Sequence, residues 1–83
     1  MDREEIRQHV VDALGVILVD KTVIEDNQTI DSLVLDEEDI DELSKMLQKS
    51  GINFKKRARE EALKHSESTT LMALIDHIFL SQH

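Results

Sequence analysis

Cysteine and proline are both absent from the 83 residues, glycine occurs twice, and two phenylalanines are the only aromatic residues. Without cysteine there is no disulfide, no thiolate nucleophile and no Cys-based zinc site, so the core must hold a small fold unaided. Two phenylalanines give no stacking platform for single-stranded nucleic acid. A net charge of −8 repels phosphate backbones, so no nucleic-acid partner is expected. Apolar runs such as Val16-Ile17-Leu18-Val19 are far too short to cross a bilayer, and membrane contact is not expected. Met1-Asp2-Arg3-Glu4-Glu5 has neither the basic start nor the apolar core of a secretion signal, which makes the cytoplasm the expected compartment.

What the chain does have is helix-forming residues in helical spacing, and the expected class is all-α, one domain over residues 1–83. Ile6, Val10, Ala13, Leu14 and Ile17 define a first amphipathic helix, with Asp2, Glu4 and Glu5 in its first turn where the macrodipole favours negative charge. Gly15 is a weak point or an end of that helix, and Val16 to Val19 either extends it or opens the next loop. Residues 20–35 read as a long ordered loop with turn and capping chemistry at Asp20, Asp26, Asn27 and Thr29. Val23, Ile24, Ile30, Leu33 and Leu35 are expected to pin the loop to the core.

The spacing predicts a second helix from about Asp36, an acceptable N-cap, with Ile40, Leu43, Met46 and Leu47 as its buried stripe and Gly51 at its end. Ile52 and Phe54 alternate with polar residues, as in a short connector that turns two side chains inward. Lys55 to Lys64 reads as a shorter third helix burying Ala58, Ala62 and Leu63. Ser66-Glu67-Ser68-Thr69-Thr70 is a polar break with several caps, and Leu71, Leu74, Ile75, Ile78 and Phe79 form the stripe of a last helix. His77 lies between those core positions and is expected at a half-buried edge.

Several segments, in this order, resemble acyl and peptidyl carrier proteins. Ile30 and Leu33-Val34-Leu35-Asp36-Glu37 stand where that family has an apolar residue, a gap, and Leu-Gly-x-Asp-Ser before an acidic helix. Leu14-Gly15-Val16 is similar to the close of the family's first helix. Asp41-Glu42-Leu43 matches an x-Glu-Leu in its second, and Thr69-Thr70-Leu71 with Ile75-Asp76-His77-Ile78 is similar to its last. The resemblance implies a four-helix bundle with a long loop between helices 1 and 2 and a short third helix. It also implies a 4′-phosphopantetheine arm on a serine at the start of helix 2, added by a phosphopantetheinyl transferase.

Two registers compete for that attachment position. In one, Glu37 occupies the family's serine position and no attachment is expected. In the other, the literal Asp31-Ser32-Leu33 is the motif and Ser32 alone carries the arm. Periodicity favours the first, because a helix starting at Ser32 would put carboxylates into its core stripe. The family's usual glycine is also missing, replaced by Val34, which further suggests relaxed constraints on an attachment segment.

Asp36 to Glu42 contains six carboxylates. The resemblance makes this helix a docking surface, through Asp36, Glu38, Asp39, Asp41 and Glu42, for basic faces of acyl-handling enzymes in fatty-acid, polyketide or related metabolism. Equally, the run is what a solvated helix start favours. Lys55-Lys56-Arg57-Ala58-Arg59 could contact an acidic protein or anionic lipid, or pair with Glu60 and Glu61 and offset the acidic helix. The acids lack an EF-hand pattern, and His9, His65, His77 and His83 share no ligand spacing, so no metal is expected. No arrangement suggests nucleophilic catalysis or a phosphate-cradling loop. The expectation is a monomeric non-enzyme, either a specialised carrier or a pseudo-carrier; the alternative is an all-α adaptor or regulatory protein sharing only the architecture.

Overall fold

Helix starts are well marked in this chain, and all but one carry a side-chain cap. In the computed structural model, which describes residues 1–18 and 23–82, α1 spans Arg3–Ile17, α2 Glu37–Lys49, α3 Lys56–Lys64 and α4 Leu71–Leu80. Among the described residues there is no strand, only an isolated bridge between Thr29 and Thr70. Among the described residues no helix is long and apolar enough to cross a membrane. Asp2 caps α1 from outside by accepting the Glu5 N–H, Asp36 caps α2, and Thr70 caps α4 by accepting the Ala73 N–H. Lys55 precedes α3 without a side-chain cap.

Gly15 does not end α1. The helix runs on to Ile17, because a Cβ at Gly15 would meet nothing within 4 Å and the residue faces solvent. Continuing the helix carries Ile17 and Leu18 to half-buried positions against the core, and the Leu18 N–H still reaches the Leu14 carbonyl at 2.8 Å. Val19 and Asp20 lie outside the described residues.

Where it is described, the long loop is ordered by backbone hydrogen bonds and one ion pair. Ile30 and Asp31 donate to the carbonyls of Thr69 and Ser66, while Leu71 and Met72 donate to those of Gln28 and Asp26. The last two satisfy first-turn donors of α4 that have no partner within the helix. Arg7 of α1 grips Asp26 with Nε at 3.0 Å and Nη2 at 2.8 Å from the same oxygen. Hydrogen bonding to Asp26, then its charge, with a smaller contribution from Glu4, hold the Arg7 guanidinium above its ordinary range. Of the expected loop anchors, Ile30, Leu33 and Leu35 are buried and Ile24 is half-buried, but Val23 is 74% exposed. Val23 turns to solvent while its neighbour Ile24 takes the place against the core.

Two left-handed residues close helical turns in the same way. After α2, Gly51 at φ +80° lets its N–H reach the Gln48 carbonyl and the Ile52 N–H reach that of Leu47. This is a Schellman closure, with Ile52 and Leu47 as its apolar pair. Upstream of α2, Val34 at φ +56° does the same for the turn at Ile30–Leu33: its N–H donates to Asp31 and that of Leu35 to Ile30, both apolar partners again being buried. A β-branched residue holds a conformation that favours glycine.

The core is one cluster drawn from all four helices and both long connections. α1 packs on α2 and α4, and α3 bridges α2 and α4 through a smaller contact. Ile40, Leu43 and Leu47 bury the expected α2 stripe, with Met46 half-buried beside it, and Ile52 and Phe54 both turn inward. α3 contributes Ala62 fully and Ala58 and Leu63 in part. His77 is exposed rather than half-buried. α4 centres its buried stripe on Leu71, Leu74, Ile75 and Ile78, and His77 lies roughly 110° around the helix from that centre.

Candidate functional site

α2 begins on the sequence Leu35-Asp36-Glu37-Glu38-Asp39 because its cap and first turn cooperate. The Asp39 N–H donates to Asp36 Oδ1 at 2.9 Å and the Asp36 N–H donates to Asp39 Oδ2 at 3.3 Å, a reciprocal capping box. Glu37, Glu38 and Asp39 fill the first turn, where each carboxylate interacts favourably with the free N–H groups by about 0.3–1 kcal/mol.

The geometry sorts the six carboxylates by what each already does. Asp36 and Asp39 are committed to the capping box. Asp41 lies 3.3 Å from Lys45 on its own helix and 3.5 Å from Nη1 of Arg59 on α3. Glu37, Glu38 and Glu42 are exposed and have neither hydrogen bond nor ion pair among the described residues. Glu38 and Glu42 stand four residues apart and so share one face. Of the five acids expected to meet a partner, these two point outward unengaged.

Glu37 is the first residue of α2, next to the helix N-terminus that would stabilise an anion, and it carries no hydroxyl. Ser32 has an exposed hydroxyl, but it sits in the turn that Val34 closes. Its N–H is taken by Thr29 Oγ1 at 3.0 Å, and its chain neighbour Asp31 is an exposed acid. A phosphodiester at Ser32 would lack the helix N-terminus, and one at Glu37 would lack an attachment atom. Neither position therefore combines an attachment atom with that helix end.

Beside the acidic face, α2 and α3 enclose an open groove of about 510 Å³, lined by Glu37, Glu38 and Asp41 on one side and Lys56, Arg59 and Leu63 on the other. The Arg59–Asp41 contact ties the two helices, and Lys56 pairs with Glu60. Among the described residues the buried Nε of Arg59 has no hydrogen-bond partner. Among the described residues no three His, Cys, Asp or Glu side chains are grouped to hold a metal ion.

The sequence reading did not find Arg59 as the cross-helix partner of Asp41, since the two are far apart in the chain and only the packing of α3 on α2 joins them. It also left Lys55 and Arg57 undecided. They are unpaired among the described residues, whereas Glu61 engages His65 at 3.5 Å. No protein-family model, curated protein or solved structure matches the chain.

Proposed function

We propose that this chain is a carrier-like docking domain without an arm, a pseudo-carrier that presents the α2 face of Glu38 and Glu42 to the basic surface of an acyl-handling enzyme. One observation carries the reading. The acidic helix opens at Glu37 behind an Asp36 capping box, so the position next to the anion-stabilising helix end holds a carboxylate in place of a hydroxyl. Further support comes from the order of helix, long loop, acidic helix, short helix and helix, which matches the architecture the resemblance implies. Glu38 and Glu42 are available for a partner's Lys or Arg side chains, and such contacts act over about 8 Å at physiological salt, so they speed encounter and set orientation.

The test uses a phosphopantetheinyl transferase, coenzyme A and an authentic carrier as competing substrate. The expected result is no gain of mass by this protein, with salt-sensitive inhibition of transfer to the carrier. Replacing Glu38→Lys and Glu42→Lys together weakens that inhibition by about tenfold, a change of about 1.4 kcal/mol in binding. A mass gain that disappears in Ser32→Ala makes the chain a working carrier and overturns the pseudo-carrier reading. Neither modification nor inhibition leaves an adaptor with carrier-like architecture only.

A further inference from the structure

The basic stretch at the start of α3 has no role in the acidic face, and the packing of α3 on α4 gives it one of its own. A second open groove, of about 530 Å³, runs between these helices and is lined by Lys55, Arg57, Ala58, Glu61, His77 and Leu80. Lys56 and Arg59 pair with Glu60 and Asp41, and Glu61 lies 3.5 Å from His65, an ion pair only when that histidine is protonated, whereas Lys55 and Arg57 in the groove have no ion pair among the described residues. In a chain with 18 acidic and 10 basic residues, this groove brings two cations without ion pairs together beside a single carboxylate, Glu61. Between α3 and α4 the apolar element is Leu80, 66% exposed, beside the half-buried Ala58. Cations flanking an exposed leucine in a concavity match a ligand that joins carboxylates to an apolar side chain.

We propose that the α3–α4 groove is a docking site for an acidic, amphipathic peptide segment of a partner protein, with Leu80 taking an apolar side chain and Lys55 and Arg57 pairing with flanking carboxylates. Charge complementarity at Lys55 and Arg57 argues for this occupant, because a short segment can set a few carboxylates on the two cations. A flat anionic bilayer or a second copy instead meets the net charge of −8 over a wide face. The site is separate from the α2 face and does not rest on the pseudo-carrier reading, since an acidic peptide is repelled by Glu38 and Glu42.

The probe is a synthetic peptide of about twelve residues in which Leu and Phe alternate with Glu, titrated into the isotopically labelled protein and followed by NMR. The expected result is saturable shifts centred on Lys55, Arg57, Ala58, His77 and Leu80, and a Kd weakened about tenfold by Lys55→Glu with Arg57→Glu. Leu80→Ser weakens it as well. The control pair Lys49→Glu with Lys64→Glu makes the same change in net charge at two other unpaired cations and has a clearly smaller effect. Absence of shifts, shifts centred elsewhere, or equal losses in the two charge-reversal pairs would overturn the proposal. So would tighter binding to phosphatidylserine-containing vesicles than to the peptide, or a dimer in sedimentation that uses these residues.

Discussion

Replacing Val34 with glycine should make this protein more stable, although the change deletes a side chain. Val34 is 80% exposed, so its removal forfeits little burial. Its φ of +56° places Cβ against the following carbonyl oxygen, which costs an L-residue about 1–2 kcal/mol. Glycine relieves that repulsion and raises the entropy of the unfolded chain, an opposing effect of about 0.5–1 kcal/mol. The net expectation for Val34→Gly is a gain of about 0.5–1 kcal/mol, or roughly 2–8 °C in Tm for a domain of this size. Gly51 supplies the reciprocal test, because it closes α2 with the same hydrogen bonds at φ +80° and an added Cβ would meet nothing within 4 Å. Gly51→Val should therefore lose about 1 kcal/mol through backbone conformation alone. Urea unfolding followed by circular dichroism measures both, with unchanged m-values as the sign that the end states are the same. Val34→Ala keeps the left-handed strain and should move the midpoint little. A Val34→Gly variant that is neutral or less stable, or a Val34→Ala variant as stable as Val34→Gly, would refute the reasoning.

Asp36→Ala removes one half of the capping box and should cost about 1–2 kcal/mol in urea unfolding, while Asp36→Ser, which keeps an acceptor, stays near the parent. Leu43→Ala empties a fully buried position facing the core and should cost about 2–5 kcal/mol, a large share of the stability of a small domain, seen as an early thermal midpoint. Arg7→Lys cannot reproduce the two-nitrogen grip on Asp26 and should lower the thermal midpoint. The raised pKa of Arg7 means that its share of stability is present below the arginine pKa of the unfolded chain and is lost only as pH rises through the higher folded value. The arginine side of the pair should therefore add no pH dependence between pH 5 and 9.

The helices were legible because apolar spacing and capping chemistry agree: Asp36 before an Ile40, Leu43, Leu47 stripe, and Thr70 before Leu71, Leu74, Ile75 and Ile78. The sequence stays open, or misleads, where a local signal has no consequence in three dimensions. Gly15 reads equally as a weak point or a helix end, and the structure shows it on the solvent side with the helix passing through it. Val23 has a loop anchor's character, but its neighbour Ile24 takes the inward side. The acidic helix was visible as a candidate face, yet composition could not divide it into acids that build the helix and acids left to solvent. That division depends on hydrogen bonds within the first turn and on Arg59 arriving from α3. Val34 gave no sign of its backbone state, since valine rarely occupies positive φ and only the closing hydrogen bonds around it demand that conformation.

The amides of Leu71 and Met72 take their acceptors from Gln28 and Asp26, so the opening turn of α4 and the segment that precedes α2 are halves of one structural unit. Local fraying at the start of α4 would have to uncouple residues more than forty positions away, along with the Thr29–Thr70 bridge. That part of the chain should therefore melt cooperatively with the whole domain, and the base on which the acidic helix stands holds still while α3, bound by less of the core, is freer to move.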